Sequence, residues 1–264
     1  MKIKNPKKSL GQNFLIDKNI IDIIVKAGSI KNDDTILEVG PGTGNLTERI
    51  LLQNPKKIFA VEKDKLLIKK LHEKFKENVI LINEDILKID EKKYSKTPFV
   101  VFGNLPFNVS TQILVKWIRY KNLNNIFKKF ILMFQKEVAE RIIAEINNKN
   151  YGRLAVLSSW KLQIEKIIDV SPNSFYPIPR VKSTVLLIKP KSEYFNLKNS
   201  KNLEHITNIF FNQRRKMIKK PLKIIFKDID EIAKKLNINL NDRPQNLSSL
   251  KYLEICREYE ILNS

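Results

Sequence analysis

Residues 35–47 read TILEVGPGTGNLT, and the fold is decided there. TILEV (35–39) is a short apolar run with little polar alternation, as expected of a strand buried on both faces of a parallel sheet. Gly40, Gly42 and Gly44 follow it. Glycines there permit a tight turn and let a ligand come close to the backbone. LTERILLQ (46–53) then continues in a helical pattern. The glycine spacing is GxGxG. A dinucleotide loop would read GxGxxG, and a Walker loop would need a Lys-Ser/Thr pair that does not follow here. A glycine-rich strand-to-helix turn is a weak signal alone, so its surroundings must sharpen it.

The same grammar repeats further along. KIFAV (57–61), NVILI (78–82), PFVVFG (98–103) and KFILMF (129–134) read as strands. KLLIKKLHEKF (65–75), TQILVKWIRY (111–120) and KEVAERIIAEI (136–146) read as helices. This alternation predicts a doubly wound α/β domain. STVLLIKP (183–190) is the last strand-like run. A polar stretch, KSEYFNLKNSKN (191–202), reads as a linker. LEHITNIFF (203–211), IDEIAKKL (229–236) and LSSLKYLEICREYEIL (247–262) are helical. The expected organisation is one domain over 1–190 and a small all-helical domain over 191–264.

Of the 264 residues, 42% are hydrophobic, enough for a sizeable core and too many for a disordered chain. The net charge is +21, which points to a polyanionic partner, nucleic acid first. Compositional bias toward lysine accounts for part of that excess but not for clustering. Residues 212–227, NQRRKMIKKPLKIIFK, carry seven basic residues and no acid. One cysteine forms no internal disulfide, and two histidines, His72 and His205, far apart in sequence, argue against a zinc site. No apolar run approaches the roughly 18 residues of a membrane span, and MKIKNPKKSLG lacks a signal peptide's apolar stretch. A cytoplasmic protein with no metal and no membrane partner is expected.

The chemistry gathers at strand ends, where open α/β sheets meet their ligands. The second strand ends in Val61-Glu62, and an acid there suits the two hydroxyls of a ribose. The third is followed by Asn83-Glu84-Asp85, and Asp85 can accept a hydrogen bond from an adenine amine. After the fourth comes Gly103-Asn104-Leu105-Pro106-Phe107. The Asn104 amide offers an acceptor for a planar amino group. Pro106 fixes the backbone, so a nearby carbonyl can be a second acceptor. Phe107 offers a flat face to a base. Singly, each acid reads equally well as an ordinary loop residue, and the Pro106 turn as a support for a core Phe107. Together, in this order, they define a nucleoside pocket beside a reaction site.

These motifs resemble S-adenosylmethionine-dependent methyltransferases acting on exocyclic amines. SLGQNFL (9–15), EVGPGTGNLT (38–47), GNLPFNVST (103–111), QKEVAERI (135–142), YGRLAV (151–156), FYPIPRVKSTV (175–185), FNQRRK (211–216) and RPQNLS (243–248) narrow this to the ribosomal RNA adenine dimethyltransferases, the KsgA family. The resemblance implies a Rossmann-like seven-stranded methyltransferase sheet with a small C-terminal all-helical domain that binds RNA. It implies a donor held by Asn13, Leu15, Gly40, Glu62 and Asp85, with Asn104 near the methyl group and Asn104, Leu105, Pro106 and Phe107 as the catalytic loop. It implies dimethylation of two adjacent adenosines near the 3′ end of small-subunit ribosomal RNA by a monomer docked on a small-subunit particle. Arg214, Arg215, Lys216, Lys219 and Lys220 are the expected RNA contacts. Two departures stand out. Phe107 replaces the family's usual Tyr, which keeps stacking and loses a hydroxyl. Met217-Ile218-Lys219-Lys220-Pro221-Leu222 replaces the usual run after FNQRRK, and Pro221 would begin or break a helix. The competing readings are an Erm-type methyltransferase of large-subunit RNA and a non-catalytic RNA-binding assembly factor.

Overall fold

The computed structural model describes residues 12–263, which form two compact units. One comprises the chain up to Ala139 together with Gln163–Pro190. The other comprises Glu140–Leu162 and the chain from Lys191 onward. In the first lie β1 (Phe14–Leu15), α1 (Lys18–Gly28), β2 (Thr35–Val39), α2 (Asn45–Leu51), β3 (Lys57–Val61), α3 (Lys65–Phe75), β4 (Ile80–Ile82), β5 (Phe99–Asn104), α4 (Ser110–Ile118) and β6 (Phe127–Gln135). Next along the chain come α5 (Lys136–Ile142) and α6 (Arg153–Lys161). Then β7 (Leu162–Val170), β8 (Phe175–Tyr176) and β9 (Ser183–Pro190) return to the first unit. α7 (Ser200–Phe211), α8 (Lys219–Ile225), α9 (Ile229–Leu236) and α10 (Ser249–Leu262) complete the second.

Seven strands form one sheet in the order β4-β3-β2-β5-β6-β9-β7. β2 pairs in parallel with both β3 and β5, β3 with β4, and β5 with β6, while β9 runs antiparallel to β6. This is the expected α/β Rossmann-like sheet. The chain winds outward from β2 to β4, then crosses back to begin again at β5 on the other flank of β2. The order therefore reverses between β2 and β5, and the crevice beyond their carboxyl ends is where such sheets bind ligands. Both strands are buried because they are apolar on both faces. Ile36, Val100, Phe102, Ile131 and Met133 pack with Ile21, Ile24, Leu46, Ile50 and Leu71 from the helices. Each such side chain contributes roughly 1.5–3 kcal/mol through apolar area removed from water.

α3 shows how local sequence sets an element. The Asp64 side chain caps it by accepting from the Leu66 N–H at 3.0 Å, and Leu67, Leu71 and Phe75 form its buried stripe. The helix expected over 136–146 instead ends at Ile142. α1, α6, β1, β7 and β8 were not anticipated, and the basic segment, expected to be helical, is so at α8. α6 buries Ala155, Val156, Leu157, Ser158 and Trp160, so nearly every face is covered and no amphipathic period marks it. It packs with α7 and α10, which is why residues 140–162 fall in the second unit and not, as the boundary at 190 would have it, in the first. Pro221 is the third residue of α8. In that first turn its missing N–H has no intrahelical partner to lose, so it starts the helix without breaking it.

In the second unit Glu260 of α10 accepts from the backbone N–H groups of Lys198 and Asn199 and from the Asn202 amide. A carboxylate is favoured at the start of a helix, here α7. No helix among the described residues is long and apolar enough to cross a membrane.

Gly44 adopts φ +78°, and a Cβ there would stand 2.5 Å from the Phe75 ring. Gly44→Ala should lower stability by about 2–4 kcal/mol, from backbone strain plus overpacking. Urea unfolding measures it, and a wild-type midpoint would show that the turn relaxes freely.

Candidate active site

A cleft opens at the carboxyl ends of β2, β3, β4 and β5. Its wall holds Asn13, Leu15, Gly40, Glu62, Asp85, Asn104, Leu105, Pro106 and Phe107. Ser9, Leu10 and Gly11 of the leading motif lie outside the described residues. The segment from Gln12 to Leu15 is fastened at three points. The Gln12 amide donates to Asp64 Oδ2 at 3.0 Å, Asn104 Nδ2 to the Asn13 carbonyl at 2.8 Å, and Asn45 Nδ2 to the Leu15 carbonyl at 2.8 Å. β1 also pairs antiparallel with β8, Phe14 facing Tyr176.

The glycine turn forms the floor. Gly40 has φ +70°, and a Cβ on it would lie 3.7 Å from the Asn104 carbonyl oxygen. Any side chain there would fill the gap between the turn and the Asn104 loop, so glycine keeps that passage open.

Glu62 and Asp85 stand at adjacent strand ends in different electrostatic settings. Glu62 is buried, and burial raises its pKa above the usual carboxylate range against opposing backbone hydrogen bonds from Asp64 and Gly42. Its Oε1 accepts from the Asp64 N–H at 2.8 Å. For Asp85 burial pushes upward too, but the Lys63 ammonium at 2.8 Å and the Leu87 N–H outweigh it and hold the pKa low. Asp85 is therefore a firmly ionised acceptor.

Asn104 is oriented unambiguously. Its Nδ2 is bound to the Asn13 carbonyl, so the acceptor end of the amide is the one left to meet an incoming amine. The Pro106 carbonyl accepts from the Val109 and Ser110 N–H groups. Leu105 lines the cleft as a buried residue, whereas Phe107 is half-buried in the cleft wall.

Sequence reasoning missed Glu38, Gln12, Asn45 and Lys63. Glu38, on β2, is 1% exposed and lines the cleft, and its Oε2 has no hydrogen-bond partner among the described residues. Burial, reinforced by Glu62, drives its pKa up to about 7. An acid inside an otherwise apolar strand was the available signal.

On the second unit, Arg215, Lys216, Lys219 and Lys220 line a shallow basin with Lys223, Asn241 and Arg243, and among the described residues no carboxylate lines it. The Ile218 N–H donates to the Asp242 carbonyl at 2.8 Å, tying the two segments together. Arg214 behaves differently. It donates to the Gln245 side chain and to the Lys149 carbonyl, bracing a loop of its own unit.

A Rossmann-like sheet with an acid-lined cleft at its switch point, a GxGxG floor and an oriented Asn-Leu-Pro-Phe loop defines the methyltransferase class. Comparison with known proteins narrows this. Residues 3–263 match the model of the ribosomal RNA adenine dimethylases, and the chain belongs to that family. It is 54% identical to the ribosomal RNA small subunit methyltransferase A of Pelagibacter ubique, over 97% of each chain. It is 44% identical to the protein of that name from Ehrlichia ruminantium, covering 95% of this chain and 96% of that one. Among solved structures, a dimethyladenosine transferase from Plasmodium falciparum superposes with a TM-score of 0.78 at 25% identity, covering 95% of this chain and 98% of the other. The 23S rRNA methyltransferase ErmE shares the fold, with a TM-score of 0.69 at 21% identity over 94% of this chain and 100% of its own.

Glu38 makes stability depend on pH. The unfolded chain releases its proton near 4.5, whereas the folded protein keeps it until about 7. Between those values the folded state binds more protons, so stability falls as pH rises and levels off above 7. Glu38→Gln should remove that slope and stabilise the unliganded protein above pH 7 by on the order of 2–3 kcal/mol. Thermal unfolding across pH 5–8 measures it, and parallel curves for mutant and wild type would refute the buried proton.

Proposed function

We propose that this protein transfers methyl groups from S-adenosylmethionine to the exocyclic amines of two adjacent adenosines near the 3′ end of small-subunit ribosomal RNA. It leaves both as dimethyladenosine, working as a monomer docked on a small-subunit particle in the cytoplasm. The observation that carries this reading is the Asn104 amide, its nitrogen committed to Asn13 and its oxygen left to meet an amine, in one cleft with the glycine turn, Glu62 and Asp85.

The residues fit the donor. Gly40 leaves room for it, Glu62 suits ribose hydroxyls, and Asp85 suits an adenine amine, with Asn13 and Leu15 covering it. When bound, the donor supplies an electrophilic methyl on a positively charged sulfur. The chain supplies placement. An adenine amine has its lone pair delocalised into the ring. The Asn104 side-chain oxygen is one acceptor and a main-chain carbonyl of the loop is the second, the Pro106 carbonyl being already taken by the Val109 and Ser110 N–H groups. Drawing both amine hydrogens toward them makes the nitrogen more tetrahedral and more nucleophilic. No dedicated base is required, because the proton can leave after transfer. Phe107 offers its face to a base that has left its stack, a contact worth roughly 1–3 kcal/mol. Such positioning can supply up to roughly 7–11 kcal/mol of the barrier.

The Erm-type reading has less support. The likeness to ErmE is one of fold, whereas relatives at 54% and 44% identity bear the small-subunit name. A purely structural assembly factor would not need the Asn104 geometry. The basin of Arg215, Lys216, Lys219, Lys220, Lys223 and Arg243 suits phosphate contacts that position the protein on RNA, with Arg214 as their brace.

Small subunits lacking the modification, incubated with the protein and deuterated donor, should yield dimethylation at two adjacent adenosines by mass spectrometry. Asn104→Ala should abolish the product yet keep donor affinity within about tenfold, since one hydrogen bond is at stake. Methylation of large-subunit RNA, or full activity of Asn104→Ala, would overturn the reading. Replacing Arg215, Lys216 and Arg243 by Ala should leave donor binding intact, weaken binding to small subunits, and flatten its salt dependence by about 0.7–0.9 log units per lost contact. Filter binding over a salt series measures this, and unchanged slopes would place the RNA surface elsewhere.

A further inference from the structure

We propose that Lys116 is a positioning residue for the donor's adenine, acting on Asp85 through a single peptide plane. This rests on the reading of Asp85 as the acceptor for the adenine amine. Lys116 lies on α4 and touches neither the glycine turn nor the Asn104 loop with its ammonium group. Its Nζ donates to the Ile86 carbonyl at 2.6 Å, the Ile89 carbonyl at 2.7 Å and Glu91 Oε1 at 2.8 Å. An ammonium has three hydrogens, and here each has an acceptor. Glu91 is 0% exposed and also accepts from Trp117 Nε1 at 2.6 Å and the Tyr120 hydroxyl at 2.7 Å. A buried ion pair saturated in this way is costly to open, which fixes the ammonium in place.

The consequence runs through the next peptide. The Ile86 carbonyl and the Leu87 N–H belong to one planar trans unit and point in opposite directions. Lys116 holds the oxygen end, and the N–H end donates to Asp85 Oδ1 at 3.0 Å. The other carboxylate oxygen, Oδ2, meets Lys63, whose side chain is 60% exposed. Exposed pairs of that kind are weak and screened. The durable restraint on Asp85 is therefore the one that begins at Lys116. The same helix opens at Ser110, whose N–H donates to the Pro106 carbonyl of the catalytic loop. Ser110 and Lys116 are about 9 Å apart along the helix axis. One rigid element thus fixes both the loop that receives the target amine and the acid that receives the donor's adenine.

A merely structural Lys116 would affect every donor-like ligand alike. A positioning Lys116 affects recognition of the adenine amine alone. The probes are S-adenosylhomocysteine and S-inosylhomocysteine, which carries a carbonyl in place of that amine, each titrated calorimetrically against the full chain. Wild type should prefer the adenosyl compound. Lys116→Met should lower that preference about tenfold, the scale of one hydrogen bond to a charged group, with the affinity for the inosyl compound unchanged within twofold. Lys116→Arg keeps the charge beside Glu91 and so protects the fold. Its longer planar fork cannot converge on the same three acceptors, and it too should lower the preference. On an Asp85→Asn background neither variant should lower it further. An unchanged preference in both folded Lys116 variants, or equal weakening of both ligands, overturns the proposal while Asp85→Asn still lowers the preference. An Asp85→Asn protein that keeps the full preference overturns the reading of Asp85 beneath it.

Discussion

β2 and β5 lie side by side in parallel, Val39 opposite Gly103, with their connections leaving toward opposite flanks of the sheet. That pairing opens the gap in which the chemistry sits. The backbone beyond β2 turns one way through Gly40, whose N–H donates to the Val61 carbonyl of β3 at 2.9 Å. The backbone beyond β5 turns the other way through Asn104. Neither turn can fill the space between them, so two loops far apart in sequence share one cleft. The Asn13–Asn104 hydrogen bond closes its third side. Disturbing the pairing would move the glycine floor and the catalytic loop relative to each other, where a displacement near 1 Å matters for rate.

The charge distribution follows the two tasks. The chain carries +21, yet its cleft gathers Glu38, Glu62 and Asp85. A donor with a cationic sulfur is drawn to such a lining, and a neutral thioether product is held less strongly by the same field. Glu38 and Glu62 are both buried and both have raised pKa values, so the cleft does not carry the full repulsion of two ionised carboxylates before the ligand arrives. On the second unit Arg215, Lys216, Lys219, Lys220, Lys223 and Arg243 gather in one basin, a lining of the sign opposite to that of the cleft.

How much of this could be read from the sequence depended on whether the determinant was local. α3 was legible to the residue because its Asp64 cap and its Leu67, Leu71 and Phe75 stripe lie within one segment. The nine cleft residues named from sequence all line one cavity: Gly40, Glu62, Asp85 and Asn104 to Phe107 sit at or just beyond strand ends, whereas Asn13 and Leu15, named from the family resemblance, come from the segment at β1. α6 was illegible because burial on nearly all faces erases the period that marks a surface helix. Its packing with α7 and α10 is also what drew residues 140–162 out of the first unit. The links from Gln12 to Asp64 and from Asn13 to Asn104 span 52 and 91 residues. No spacing rule reaches that far. Arg214 looked equivalent to Arg215 and Lys216 as a run of charge, and only its bonds to Gln245 and Lys149 separate a brace from a contact.

A cleft of this kind selects a nucleobase and not a site in an RNA. In the proposed reading Asn104 and Phe107 meet an amine on a flat ring, which every adenosine offers. Discrimination among thousands of adenosines must come from contacts that register the shape of a folded RNA, since phosphate contacts fix position without reading sequence. A basin can do this only if its cations are held in a fixed pattern. Flexible lysines on a solvated face would follow any phosphate. Here the backbone bond from Ile218 to Asp242 locks two segments of the basin together, Pro221 stiffens the first turn of α8, and Arg214 pins the neighbouring loop. The residue that made this region look irregular in sequence is thus part of what gives its charges a defined geometry.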